Sequence, residues 1–320
     1  MKNRKVVIVG AGFVGTSLAY SLINQNSIGI NEIVLIDLNE KKTIGEVMDL
    51  SHGISFINSS IGINYGDYSD CKDADVVVIT AGASNVSHIE DRLEFAKANT
   101  KIVKEITENV VNSGFKGIFI VATNPVDLMC YVIKKVSNFP SSKVIGTGTL
   151  LDTVRFQCLL GEYFNVLASN ILCPVLGEHG NSSFPVLSHT FVGSRTILEV
   201  LSNNEGKWME IEKLFKEAQE AGNEVANRKG NTSFAIGMTI NRILKSIFLD
   251  ERAELPISIY LENEYGVSDI CMSVPVIVGK NGIEKIIPIS FNKNEKEAFL
   301  NSYHILNRVK EKDVLPILVD

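Results

Sequence analysis

Positive charge is in deficit in this 320-residue chain: 31 Lys and Arg stand against 37 Asp and Glu, a net charge of −6. That balance leaves no basic footprint, so nucleic acid and anionic membrane surfaces are not expected as main partners. Long hydrophobic runs are missing too. The opening "MKNRKVVIVGAG" has basic residues and then an apolar stretch of a few positions, too short for a secretory leader or a membrane helix. A cytoplasmic location is therefore expected. Cysteine is sparse, with Cys71, Cys130, Cys158, Cys173 and Cys271 odd in number and widely spread. No CxxC or Cys/His ligand spacing occurs among them, which argues against both a disulfide framework and a metal site. They read as small core residues in a reducing compartment. No internal repeat, low-complexity tract or linker is found, and 45% hydrophobic against 21% charged residues is the balance of a folded globular chain.

What is present is an alternation. "KVVIVG", "EIVLID", "ADVVVIT" and "GIFIVAT" are continuous apolar runs, as parallel strands buried on both faces require. Amphipathic helical segments such as "VGTSLAYSLINQ" and "ANTKIVKEITENVVNSG" lie between them, and "KVIGTG" closes the series. The pattern predicts an α/β fold, a doubly wound parallel sheet over residues 1–146. Residues 147–320 read as a second, mixed α+β domain. It has a helix at "LLDTVRFQCLLGEYF", a helical tract over 206–249 interrupted at "KGNT", alternating strands "PISIYLE", "ICMSVPVIVG" and "EKIIPISF", and a closing amphipathic helix.

"GAGFVG", Gly10 to Gly15, directly follows the first strand and opens the first helix. Gly10 would make the tight turn, Gly12 would admit a pyrophosphate to the backbone, and Gly15 would let helix and strand pack closely. Asp37 ends the second strand, where a carboxylate can accept both ribose hydroxyls and repel a 2′-phosphate, favouring NAD over NADP. A glycine-rich turn and a strand-end cap are the blander readings. The two signals in register favour a dinucleotide.

A nicotinamide enzyme acting on a carbonyl needs a proton donor titrating near neutrality, and unperturbed histidine does so at about 6.5. His179 in "VLGEHGNSSFPVL" is a candidate. Asp152 and Arg155 share one face of a helix, and could supply an orienting carboxylate and a fork for a substrate carboxylate. Pairing of Arg155 with an acidic side chain is the alternative.

"GAGFVG", "TNPVD" (Thr123 to Asp127), "GTGTLLDTVRF" (Gly146 to Phe156), "GEHGNS" (Gly177 to Ser182) and "KGNTSFAIG" (Lys229 to Gly237) resemble, in order and spacing, the L-lactate dehydrogenase family of the lactate/malate dehydrogenase superfamily. The resemblance runs from residue 5 to about residue 312. It implies an NAD-dependent L-2-hydroxy-acid dehydrogenase, with pyruvate reduction to L-lactate in glycolytic fermentation as the expected reaction. His179 would be the acid/base, Asp152 its orienting carboxylate, and Arg155 the substrate clamp. Asn124 would bond the substrate oxygen, Thr232 would line the side-chain pocket, and Arg92 would close over the substrate on a mobile loop. Each has a blander reading: a turn before Pro125 for Asn124, a helix cap for Thr232, and a solvated ion pair for Arg92. Cofactor contacts are implied at Gly10, Gly12, Phe13, Val14, Gly15, Asp37, Lys42, Tyr68, Gly82, Ala83, Thr123 and Asn124. The partner expected is a small 2-oxo or 2-hydroxy monocarboxylic acid, and the family suggests a homotetramer.

Departures from the family pattern bear on the substrate. The loop "GASNVSHIEDR" is longer by one residue and lacks the usual glutamine and proline; the discriminating position falls on Asn85 or Val86, depending on the direction of counting. No arginine occurs over 83–91, so a dicarboxylate would lack its counter-ion. Asn181 replaces the customary aspartate, and "GEHGNS" and "GTGTLLDT" are also similar to L-2-hydroxyisocaproate dehydrogenases, which accept bulkier 2-oxo acids. Gln157 and Leu172 stand where fructose-1,6-bisphosphate-activated relatives carry arginine and histidine, so that activation is not expected. A catalytically idle nucleotide-binding protein is the alternative of another class. It has no physical need for the set His179, Asp152, Arg155, Asn124 and Arg92.

Overall fold

The computed structural model describes residues 4–57, 60–83, 92–202 and 205–319, with only the backbone of Asn26, Arg92 and Glu94. The first half runs β1 (Lys5–Val9), α1 (Phe13–Asn24), β2 (Glu32–Ile36), α2 (Glu40–Ile54), β3 (Gly62–Tyr65), β4 (Val76–Ile79), α3 (Ala96–Asn112), β5 (Ile118–Val121), α4 (Val126–Ser137) and β6 (Val144–Gly146). β1, β4 and β5 are buried at every position, which is why their sequences are apolar runs, apart from Lys5 at the start of β1, whose ammonium pairs with Asp73 at 2.9 Å. The six strands lie parallel in the order β3-β2-β1-β4-β5-β6. The chain reverses direction across the sheet between β1 and β4. Ligands of open α/β sheets bind at such a switch point, beyond the carboxyl ends of the strands. β3 has no apolar run of its own: only Ile63 of "GINY" is buried, because the strand is an edge paired on one side.

The second half opens with α5 (Leu150–Phe164) and passes through short strands β7 (Ile171–Leu172), β8 (Val175–Leu176), β9 (Phe184–Pro185), β10 (Phe191–Val192) and β11 (Arg195–Thr196). Helices α6 (Ile197–Leu201), α7 (Glu205–Lys229) and α8 (Phe234–Leu249) follow, then β12 (Ala253–Leu261), β13 (Ile270–Gly279), β14 (Gly282–Ile286), α9 (Lys293–Val309) and α10 (Leu315–Val319). The helical tract breaks at residues 230–233, where Gly230 takes a φ of +85°.

The halves share more than a boundary. β12 pairs antiparallel with β6 through Ser258 and Gly146, so β12–β14 extend the parallel sheet to nine strands. A Cβ on Gly146 would come within 2.8 Å of the Ser258 Cβ, so this seam requires glycine. One hydrophobic core runs through both halves, and a smaller one lies under α5 and α7. Four cysteines are buried as expected, but Cys158 is exposed. It lies on α5 away from the face carrying Phe156 and Leu160, which packs into the smaller core.

Candidate active site

The nucleotide end is built first by backbone. Gly10 sits at a φ of +112°, and a Cβ there would lie 2.5 Å from the Ala81 nitrogen. A Cβ on Gly15 would lie 1.9 Å from the Gly10 carbonyl oxygen, so α1 can approach the loop only without a side chain. Gly12 has nothing within 4 Å of the same construction. It also stands at the N-cap of α1, where no side chain caps the helix and no acid lies in the first turn. Open space, uncapped amides and the positive end of a helix dipole fit a pyrophosphate. Phe13 is exposed and Val14 half-buried beside it.

Asp37 holds this loop. Its Oδ2 accepts from the Ala11 amide at 2.7 Å and its Oδ1 from the Asn39 amide at 2.9 Å. A carboxylate offers about four acceptor directions, so capacity for ribose hydroxyls remains. Lys42 donates to the Ala11 carbonyl at 2.9 Å and so braces the loop from α2. Half-buried Tyr68 has its phenol pushed up by burial first, then by negative charge that includes Asp37.

Across the switch point, Thr123 donates to the Ala81 carbonyl at 2.7 Å, and a Cβ on Gly82 would strike the Thr123 methyl at 2.5 Å. Sequence reasoning passed over Asn99. This buried α3 side chain accepts from the Ala83 amide at 2.7 Å and donates to the Asn124 carbonyl at 2.6 Å. The loops after β4 and β5 are thereby fixed to each other. The only available signal was a polar residue on the apolar face of α3.

The second half then brings in three side chains. Ser273 of β13 exchanges both backbone bonds with Gly177, and its hydroxyl accepts from the Thr149 amide at 3.0 Å. Thr149 donates to the Val175 carbonyl at 2.5 Å, while the Val175 amide donates to Thr153 at 3.0 Å. The start of α5 and the loop after β8 are thus pinned side by side. Asp152 and His179, far apart in sequence, meet there: His179 Nδ1 lies 2.6 Å from Asp152 Oδ2. The other Asp152 oxygen accepts from Arg155 Nη1 at 3.1 Å. All three side chains are largely buried, at 13%, 8% and 15% exposure in the order His179, Asp152, Arg155. Glu178, Gln219 and Ser302 were also missed. Glu178 bonds Ser182, Gln219 donates to the Asn181 and Ser183 carbonyls, and Ser302 donates to the Ser182 carbonyl at 2.6 Å.

Thr232 is placed by α8. Gly237 packs on Ser17 and Leu18, and Asn241 donates to Ser21 at 2.8 Å, so α8 runs alongside α1 in the same direction. Half-buried Thr232, just before α8, therefore falls at the glycine-loop end of α1. It does not cap the helix; Ser233 occupies that position and makes no side-chain cap bond. Arg92 opens a turn, Arg92–Phe95, that leads into α3. Its side chain, Asn85 and Val86 lie outside the described residues. Among the described residues no group of His, Cys, Asp and Glu could hold a metal ion, and no helix is long and apolar enough to cross a membrane.

Comparison with known proteins identifies relatives along nearly the whole chain. The NAD-binding domain of lactate/malate dehydrogenases matches residues 4–146, and the α/β C-terminal domain of the same family matches residues 149–315. An L-lactate dehydrogenase of Bacillus pumilus is 42% identical over 309 residues, covering 96% of this chain and 97% of that protein. One of Borrelia turicatae is 46% identical over 301 residues, covering 93% and 95%. The structure of the minor L-lactate dehydrogenase of Enterococcus mundtii in its ligand-bound form superposes with a TM-score of 0.92 at 41% identity, covering 98% and 100%. The chain accordingly belongs to the lactate/malate dehydrogenase family, in its L-lactate dehydrogenase branch, and is an NAD-dependent oxidoreductase.

Proposed function

We propose that the chain is an L-lactate dehydrogenase that interconverts pyruvate and L-lactate. The observation that carries this reading is the contact of 2.6 Å between His179 Nδ1 and Asp152 Oδ2, with Arg155 on the other carboxylate oxygen. Asp152 fixes the imidazole with Nδ1 turned inward and stabilises its protonated form, which leaves Nε2 as the nitrogen that exchanges a proton with the substrate oxygen. A guanidinium has five N–H donors, so Arg155 can hold a substrate carboxylate while its Nη1 stays on Asp152. Asn124 bonds the substrate oxygen, Thr232 bounds the side-chain pocket, and Arg92 completes the site from the loop beside α3. The cofactor, when bound, supplies hydride transfer to and from the carbonyl carbon. Gly10, Gly12, Phe13, Val14 and Gly15 form its pyrophosphate cradle, Asp37 takes the ribose, and Lys42, Tyr68, Gly82, Ala83, Thr123 and Asn124 line the rest.

The division of labour falls at residues 146 and 147, between the nucleotide half and the catalytic half. The working form is a cytoplasmic homotetramer without activation by fructose 1,6-bisphosphate, because Gln157 and Leu172 offer no cation to its phosphates. A second reading, an enzyme for bulkier 2-oxo acids, draws on the longer loop around Asn85 and Val86 and on Asn181. NADH oxidation with pyruvate and with 2-oxoisocaproate separates the two. A larger kcat/KM on pyruvate is expected; a preference for 2-oxoisocaproate selects the second reading, and no turnover with any 2-oxo acid ends both.

A further inference from the structure

The motif "TNPVD" contains a carboxylate that the mechanism above does not use. Asp127, in the first turn of α4, is 1% exposed. Its Oδ2 accepts from the main-chain amide of His179 at 2.8 Å, and its Oδ1 accepts from the Ser258 hydroxyl at 2.5 Å. One carboxyl group therefore ties three elements: α4 of the nucleotide half, the loop carrying the imidazole, and β12 where the sheets join. The geometry points to Asp127 as a positioning residue for His179, one that sets the imidazole relative to the nucleotide-binding strands and adds a negative charge beside it.

Burial is the first influence on this group and pushes its carboxyl up to about 7, against the two hydrogen bonds that favour the charged form. The titratable groups acting on it are Asp152 on α5, Glu178 in the histidine loop and Cys271 on β13, the last hydrogen-bonded to Cys130 of α4. The two acids raise Asp127 further. Its ionised form favours protonated His179 through a charge held close to the imidazole loop.

This inference rests on the reading of His179 as the proton donor, and its test distinguishes the two. Wild type, Asp127→Ala and Asp127→Asn are compared for NADH affinity, for kcat/KM on pyruvate, and for the pH profile of kcat/KM. Removing the grip on the amide in Asp127→Ala should lower kcat/KM about tenfold or more, because small misplacements of a catalytic group are costly, while NADH affinity holds within about twofold. Asp127→Asn keeps a carbonyl for the His179 amide and should recover most of that loss. Having no charge, it should also move the alkaline limb of the profile down by about half a pH unit, a shift that packing alone would not produce. Unchanged kcat/KM in a folded Asp127→Ala, or an Asp127→Asn profile superimposed on the wild type, overturns the assignment. If Asp127→Ala fails to bind NADH, the Asn profile alone decides. Absence of turnover in the wild type would instead remove the reading of the function.

Discussion

At the scale of single residues, the functional reading depends on how a few buried groups share partners. Asp152 serves both His179 and Arg155, so the three act as one unit and their substitutions will not add. His179→Gln is expected to reduce pyruvate turnover by a factor of about 10³ or more, since amide nitrogen cannot exchange the proton, while NADH still binds. A residual rate near wild type, measured in the same NADH assay, would remove the histidine from its role. Arg155→Lys should raise KM for pyruvate steeply, about tenfold or more, because an ammonium cannot reproduce a bidentate fork. The prediction is checked by KM with NADH saturating. A lysine would also lose the guanidinium contact with Asp152 at 3.1 Å.

At the scale of elements, the C-terminal helices are held by a polar knot. Lys310, 2% exposed and just beyond α9, donates to the Asp269 carbonyl at 2.8 Å and contacts its carboxylate at 3.1 Å. Lys135 of α4 meets the same carboxylate at 2.6 Å, and the hydroxyls of Tyr131 and Tyr260 donate to it. Burial alone would raise the Asp269 carboxyl; hydrogen bonds from Lys135, Tyr260 and Lys310 outweigh it and hold it at about 2. A depressed carboxylate contributes stability that is present above its unfolded value, about 3.9, and lost as pH falls from there toward 2. Asp269→Ala should lower Tm at neutral pH, by about 1 kcal/mol in stability since solvent screens the half-exposed carboxylate, chiefly because Lys310 is left buried without it. The gap from wild type should narrow in calorimetry at about pH 3, where wild-type Asp269 has begun to lose this advantage. An equal gap at both pH values would contradict the electrostatic account.

At the scale of the whole molecule, one surface is under-covered. α2 buries only Thr43, yet carries Ile44 and Met48 at 39% and 55% exposure. α1, which packs against both α2 and α8, presents Phe13 and Tyr20, and α8 presents Phe234 and Met238. Exposed apolar side chains on three helices, of which α1 packs against both others, support burial against another copy. Light scattering is expected to give a multiple of the protomer mass. Met48→Glu should shift that mass toward the protomer, since a carboxylate desolvated in an apolar contact costs several kcal/mol. A protomer-sized wild type would end the proposal of a tetramer.

The sequence by itself determined the layered fold and the kinds of chemistry available. Strands covered on both faces are apolar over most of their length, so β1, β2, β4, β5 and β6 were legible as runs; edge strand β3, half-exposed and short, was not. Gly10, Gly15 and Asp37 could be read because turn, close approach and strand end are local in the chain. The tertiary structure alone decided which side chains converge. Asp152 and His179 are brought together by Ser273, which neither motif contains, and the loops after β4 and β5 by Asn99. It also joined β12 to β6 and set Asp127 beneath the histidine loop. The reason is physical: burial and backbone conformation impose local periodicity that composition reveals, whereas a hydrogen bond between distant segments leaves no periodic trace in either one.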